Sequence, residues 1–361
     1  TNFGDDLRAF LTIVGTRDDT TVSVALNTAI IGDGKQIPAL KKGEVLQVKL
    51  NAFEVLNLET GGYGPDADFT GTRIDASKPV VVFSGSEASD VPDPPDLTTR
   101  RCCADHLEEQ LFPTSTLGRT FIALTTPSRS EALAAAGASI KPNPKEMEFF
   151  RILSAGEFTA VSTNLPAPQD QLNIARGNYK RLDVDGDFLI QATEPVVVGQ
   201  FVAGQQQAGI PSSLPGGDPS FILLPPVEQY RSDYLFLTPD KYAFDFITIT
   251  APAKATVLLD GEDVTSLRAG VVTSGPICST LPADGLPTMP DDPPAEDVVH
   301  RCQFSFPDVS VDGQFVEVSP GEQNDGVHTI LANKPVGIVI YGFDAFVSYA
   351  YAGGLNLDVI N

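Results

Sequence analysis

Asp105-His106-Leu107-Glu108-Glu109-Gln110 sets three carboxylates and an imidazole within one short segment, the densest chemistry in the chain. Such groups serve general acid–base catalysis, and paired carboxylates serve glycoside hydrolysis. Ala104 to Leu111 reads as one or two helical turns. That geometry puts Asp105 and Glu109 on one face, where His106, Arg100, Arg101 or Arg119 can satisfy them. A second Glu-Gln pair stands at Glu228-Gln229, and each pair precedes an aromatic residue, Phe112 or Tyr230, and a new strand. The recurrence reads Glu228, Gln229 and Tyr230 as a junction device in which Glu or Gln caps backbone groups between units. Asp105, His106, Glu108, Glu109 and Gln110 stand as ligand-contact candidates, and no catalytic residue is assigned. G-x-S-x-G, phosphate-loop and H-E-x-x-H patterns are absent.

Cys278 and Cys302 flank an irregular insertion containing Pro290-Asp291-Asp292-Pro293-Pro294. A bridge there would close a loop of about 25 residues and contribute roughly 3 kcal/mol in the chain-entropy model. Cys102 and Cys103 are adjacent and can pair with each other, bond elsewhere or stay reduced; sequence does not choose among the connectivities. The reading taken is Cys278–Cys302 with a vicinal Cys102–Cys103 pair, which implies export. Zinc is the rival, because His106 and His300 lie near these cysteines, but no C-x-x-C spacing accompanies them. Asp183-Val184-Asp185-Gly186-Asp187 resembles a calcium loop without its terminal glutamate. No metal or cofactor is therefore assigned, and calcium is kept only as a cation for a site between units.

The elements that must position these residues come from repetition. Ile74-Asp75-Ala76-Ser77-Lys78-Pro79-Val80 returns as Ile190-Gln191-Ala192-Thr193-Glu194-Pro195-Val196 and as Leu331-Ala332-Asn333-Lys334-Pro335-Val336. An opening phrase at Leu11 with Thr20-Thr21-Val22 returns at Phe150 with Thr159-Ala160-Val161, and at Phe246 with Ala255-Thr256-Val257. Repetition of this size indicates one supersecondary unit used several times. Its segments are short, β-branched and bounded by turn formers, so they read as strands. Asp185-Gly186 and Asp260-Gly261 read as hairpin turns. Proline before each Val run marks a strand's first residue. A helix over Ser130 to Ala136, ending at Gly137, is expected in a connection between units.

The chain has 361 residues, 42% of them apolar, enough for two or three domains with their own cores. No apolar run is long enough to span a bilayer. The net charge of −23 repels phosphate backbones, which argues against nucleic acid as a partner and for solubility or a saline habitat. No signal peptide is visible after Thr1.

The run Cys102 to Pro113, with Pro79-Val80, Phe83, Gly85, Gly217-Asp218-Pro219-Ser220 and Pro226-Val227-Glu228-Gln229, resembles the IgG Fc-binding protein N-terminal domain family over nearly the whole chain. That family occurs in mucus-associated animal proteins and bacterial surface proteins, and the acidic composition here looks bacterial. Animal members place cysteine directly before the Asp-His-Leu run, where this chain has Ala104, so their disulfide scheme does not carry over. The resemblance implies an extracellular or cell-surface binding module, without implying that this chain binds IgG.

The expected fold is all-β: three repeated β-sandwich-like modules at 1–108, 109–224 and 225–361, packed in series or as a pseudo-threefold cluster, the last with the 278–302 insertion. The expected function is non-catalytic adhesion or recognition of a glycoprotein, glycan or matrix protein through loops such as Pro92 to Arg101 and Leu281 to Val299. A structural spacer is the alternative, and a hydrolase using the carboxylates near Asp105 to Glu109 is the third reading.

Overall fold

The computed structural model describes residues 8–62, 67–94, 97–281, 297–312 and 315–361, and strands dominate them. The first group comprises β1 (Ala9–Gly15), β2 (Thr20–Ala25), β3 (Val45–Leu50), β4 (Val55–Glu59), β5 (Arg73–Ala76), β6 (Val80–Ser89) and β7 (Asp105–Gln110). Its sheets run β4-β1-β6-β7 and β3-β2-β5. Between them lie Leu11, Ile13, Val22, Val24, Leu58 and Phe69. Alternation produces this: in β2, Val22 and Val24 point inward while Thr21 and Ala25 face solvent.

The second group comprises β8 (Thr120–Ala123), β9 (Glu148–Ser154), β10 (Phe158–Thr163), β11 (Gln171–Ala175), β12 (Tyr179–Val184), β13 (Phe188–Ala192), β14 (Val196–Val202) and β15 (Ser220–Leu223). Sheets β11-β10-β13-β8 and β12-β9-β14-β15 enclose Phe121, Phe150, Ile152, Val161, Phe188 and Val198.

The third group comprises β16 (Arg231–Thr238), β17 (Phe244–Pro252), β18 (Val257–Leu259), β19 (Glu262–Asp263), β20 (Ile277–Leu281), β21 (Asp297–Gln303), β22 (Phe306–Asp312), β23 (Phe315–Glu322), β24 (Gly326–Asp344) and β25 (Val347–Ala352). Here β24 runs through Pro335 and pairs with β16 and β18 in its first half, and with β17 and β25 in its second. It does alone what β5 and β6, or β13 and β14, do as two strands.

Register makes the repeat exact to the residue. Val22 opposes Ala76, Val161 opposes Ala192 and Val257 opposes Ala332. Ile13 opposes Val82, Ile152 opposes Val198 and Ile249 opposes Ile338, each pair two residues above the Pro-Val step. Leu11 and Phe150 are therefore equivalent to Ile247, whereas the sequence alignment had placed Phe246 there. Likewise Ile330, rather than Leu331, matches Ile74 and Ile190. A one-residue slip turns a strand over: Ile247 enters the third core, and Phe246 packs outside it beside Phe244 and Tyr341.

Three local expectations need correction. Asp105 to Gln110 is strand β7, pairing with β6, and not a helix; pairing and burial of Leu107 override local helix propensity. Asp185-Gly186 is an arch between sheets, because β12 pairs with β9 while β13 pairs with β8 and β10. Turn residues specify a reversal without specifying which sheet receives the next strand. The helix α1 (Arg129–Ala135) forms with Ser128 as N-cap, but it lies between β8 and β9 of the second sandwich rather than between sandwiches. Asp260-Gly261 is the expected hairpin, with φ of +51° and +89° joining β18 to β19. Cys278–Cys302 bridges directly opposed residues of β20 and β21, and Cys102–Cys103 is a vicinal disulfide.

One turn departs from its own repeat. Gly177 donates its N–H to Ser154 O with φ +71°; at the equivalent corner Phe53 donates to Gly15 O with φ +67° and is 88% exposed. A side chain in the left-handed region costs roughly 1–2 kcal/mol, partly offset by glycine's greater entropy loss. Phe53→Gly should therefore raise stability by about 0.5–1 kcal/mol, read as a higher urea midpoint, while Gly177→Phe should lower it.

Candidate functional site

Strand geometry divides the acidic segment. Asp105, Leu107 and Glu109 face the second sandwich, whereas His106, Glu108 and Gln110 face outward and are exposed. His106 stacks on Phe10 with ring centres 5.4 Å apart, and its Nε2 lies 3.4 Å from Glu108 Oε2. On the inner face, burial pushes the Glu109 carboxyl up to about 7 although it accepts the Leu223 N–H of β15. The five candidates thus form two opposite faces and no single site.

A cleft of about 330 Å³ opens instead between the first and second sandwiches. Its floor is the outer face of β9, β14 and β15, which carries Leu153, Val197, Gly199, Phe201, Phe221 and Leu223. Phe221 stacks on Phe201 at 4.6 Å, and the Arg151 guanidinium lies 5.2 Å from the Phe201 ring centre and 4.8 Å from that of Tyr179. The facing wall comes from Thr60, Asp68 to Thr72, Ser84 to Ser86 and Ala88 to Asp93. Charges along it are paired: Asp68 binds Arg151, Asp90 binds Arg100 at 2.6 and 2.9 Å, and Asp93 lies 4.0 Å from Arg181. The Asp68 carboxyl is held below its usual range despite a burial cost, chiefly by the Arg151 charge and Thr70.

Two supports hold the sandwiches at this distance. At one end Gly71, with φ +90°, packs on the Gly177 carbonyl where a Cβ has no room, and Asn27 Nδ2 donates to Gly177 O at 3.3 Å. At the other end β7 runs beside β15, and Gly204 packs on the Cys102–Cys103 backbone. Cys102 N donates to Gln206 Oε1 at 2.8 Å there.

The second and third sandwiches meet through the same face. Thr248, Thr250, Gly337, Val339 and Tyr341 occupy the rungs of Arg151, Leu153, Val197, Gly199 and Phe201. Those five line only a void of about 20 Å³, closed by Tyr230, Ile122, Leu124 and Pro225. Arg301, equivalent to Arg181, binds Asp187 of the second sandwich at 2.9 Å. One interface is sealed and its counterpart is open.

Glu228 and Gln229 stitch this closed region. Glu228 Oε1 accepts the N–H groups of Arg119 and Thr120 at 2.9 and 3.1 Å. Gln229, fully buried, donates to Thr116 O and Asp358 O and accepts Asp358 N. Tyr230 covers Gly337, which leaves no space for a Cβ. Asp183 binds Arg181, Asp185 lies 3.9 Å from Lys145, and Asp187 binds Arg301, so these acids turn to separate partners. Both cysteine pairs are oxidised, His300 Nδ1 lies 2.9 Å from Thr280 Oγ1, and among the described residues no group of three His, Cys, Asp or Glu converges as a metal set. Of the loops expected to bind ligand, Pro92 and Asp93 border the cleft; residues 95–96 and 282–296 lie outside the described residues. Sequence reasoning missed Asp68, Arg151, Phe201 and Phe221. The available signal was Phe149 to Leu153, an apolar strand without alternation and with one arginine, as expected when both faces are covered.

Buried acids collect where the sandwiches meet. Burial, then the Asp105 charge, pushes Asp218 up to about 7, although Ser348 Oγ lies 3.0 Å from its Oδ1. Burial raises Asp105 and, inside the third sandwich, raises Asp245 to about 6 against hydrogen bonds from Ser305 and Tyr349. A carboxyl raised in the folded state contributes stability below its ordinary pKa that is lost as pH rises through the folded value. The melting temperature should therefore fall between pH 5 and pH 8. Glu109→Gln, which keeps an acceptor for Leu223 N–H, should flatten that fall in a thermal-denaturation series.

The IgGFc binding protein family model matches residues 2–342. The human IgGFc-binding protein is 30% identical over 125 residues, which is 35% of this chain and only 2% of that protein's length. No solved structure matches significantly. With the match extending across nearly all of the three-sandwich array, the chain belongs to the IgGFc binding protein family.

Proposed function

We propose that the chain is a non-catalytic extracellular recognition module that holds a glycoprotein, glycan or matrix protein at a cell surface or in secreted matrix. The observation that carries this is the open, propped cleft between the first two sandwiches, whose counterpart between the second and third is filled. Leaving an apolar floor accessible forgoes about 25 cal/mol for each Å² that closure would bury, so the opening calls for a use. Ligand sites favour such domain interfaces. A reading without catalysis is supported by the pairing of Asp68, Asp90 and Asp93 with arginines, which commits these carboxylates to ion pairs. The spacer alternative draws on the Gln229 stitching, which serves rigidity alone.

Surface plasmon resonance of the oxidised chain over mucin-type glycoproteins, matrix proteins and IgG Fc, with and without calcium, tests the proposal. Saturable, calcium-independent binding to one class is expected, weakened at least tenfold by Val197→Trp, which fills the cleft. No binding by the folded chain would overturn recognition in favour of the spacer, and unchanged binding by the variant would remove the cleft from it.

A further inference from the structure

We infer that the cleft between the first and second sandwiches takes a neutral saccharide of one or two rings; this rests on the recognition reading above and names the ligand chemistry of that site. Size bounds the choice first. A cavity of about 330 Å³ stands near the lower end of small-ligand pockets, too small for a helix or a folded surface.

Charge narrows it further. Among the described residues the lining carries Arg8, Arg151 and Arg181 against Asp68, Asp90 and Asp93, so their formal sum is zero. Each cation is already engaged: Arg151 by Asp68, Arg181 by Asp183 at 2.7 Å, and Arg8 by the carbonyl of Thr60 at 2.7 Å. An anionic ligand finds only Arg8 bonded to a carbonyl rather than a carboxylate and meets three carboxylates in the same lining, and a cationic one must compete with three arginines for those carboxylates. Either charge would also be desolvated in a site that does not compensate it. The ligand that suits is neutral.

The two walls then differ in kind. The floor is apolar and continuous from Leu153 through Val197 to Leu223, with the Phe221 and Phe201 rings folded over Gly199, where a Cβ would meet them at 2.9 and 3.4 Å. The opposite wall presents hydroxyl oxygens from Thr70, Thr72, Ser84, Ser86 and Ser89, together with the carboxylates. Carboxylates paired with arginine keep further lone pairs, and a hydroxyl both donates and accepts. A sugar ring carries C–H faces for the aromatic floor and hydroxyls for the facing wall. An apolar side chain would satisfy the floor and leave the polar wall desolvated, at a cost of about 1–3 kcal/mol for each stranded group.

The geometry is also prepared in advance. Gly71 against Gly177 at one end, and Gly204 against Cys102–Cys103 at the other, keep the walls apart without a ligand. Little ordering is then needed on binding, which matters for a ligand whose hydroxyls exchange protein for water at small net gain.

The test is a titration of the full oxidised chain, followed by NMR and calorimetry, with three probes. These are neutral mono- and disaccharides, glucuronate and N-acetylneuraminate as acidic sugars, and N-acetylphenylalanine amide as an apolar side chain. A neutral saccharide should saturate the protein at least tenfold more tightly than either other class. Val197→Trp should abolish that binding, and Phe221→Leu, which removes one of the two floor rings while keeping bulk, should weaken it roughly tenfold. Unchanged thermal melts show that the variants fold. Preference for the acidic sugars or the amide, or equal affinity in Val197→Trp, would overturn the inference. If no small probe binds while an intact glycoprotein is still captured through the cleft, the saccharide inference falls and the recognition reading stands. If neither the probes nor any glycoprotein or matrix protein binds, both fall together.

Discussion

One constraint governs the arrangement: a sandwich sheet whose outer face is also apolar must be covered by its neighbour. The strands β9 and β14 carry Phe149, Leu153, Val197 and Phe201 on the side away from the second core, and β17 and β24 carry Phe246 and Tyr341 in the rungs of Phe149 and Phe201, with Val339 at the position of Gly199. Such a face cannot be left to water in an isolated unit without a large loss of hydrophobic stabilisation. The repeats therefore stack in one defined direction, each laying that sheet on the unit before it. In the first sandwich the equivalent positions hold Phe10, Val14, Val81 and Gly85, of which Phe10 is buried and the others are only partly so.

Arginine fixes the direction of stacking as much as hydrophobic cover does. Arg181 and Arg301 occupy one position in the repeat, and each reaches back to an acid of the preceding sandwich, Asp93 or Asp187. Arg151 adds a second link to Asp68. Charged side chains on an otherwise apolar face are tolerated because planar guanidinium groups stack on Phe149, Phe201 and Tyr179 while bonding carboxylates at their edges. In a chain with a net charge of −23, these scarce cations sit where the sandwiches join, so that acids crowded at the contacts find partners. Where arginine does not reach, burial leaves carboxyls such as Glu109 and Asp218 poised near neutrality.

Legibility in the sequence followed range. The repeated Pro-Val step located β6, β14 and the second half of β24, because proline, β-branched runs and turn residues act over a few positions. Phe246 misled, since an aromatic match outweighed register until the rung Ile249–Ile338 was seen. Asp105 to Gln110 misled for a related reason: its periodicity is ambiguous over six residues, and only β6 alongside it decides for strand. The cleft was invisible because Asp68, Ser86, Arg151, Val197 and Phe221 come from five separate segments. None has unusual chemistry alone. What distinguishes them is a comparison between two interfaces of one repeat, and that requires coordinates.

That comparison also explains where variation is permitted. The connection following β6 and the connection following β14 occupy the same place in the repeat, and they dock on one another: Gly204 N donates to Val91 O at 3.3 Å beside the Cys102–Cys103 pair. The first connection supplies Asp90 to Asp93 to the cleft wall; the second braces it from behind. Connections on a fixed scaffold tolerate substitution better than the strands they join. Here a loop free to change composition is nevertheless held still by its counterpart in the next unit. A cleft wall built this way can alter its chemistry without losing its position, whereas the floor, committed to β9, β14 and β15, cannot change without unseating the second core. On the proposed recognition reading, specificity would reside in the wall and affinity for an apolar face in the floor.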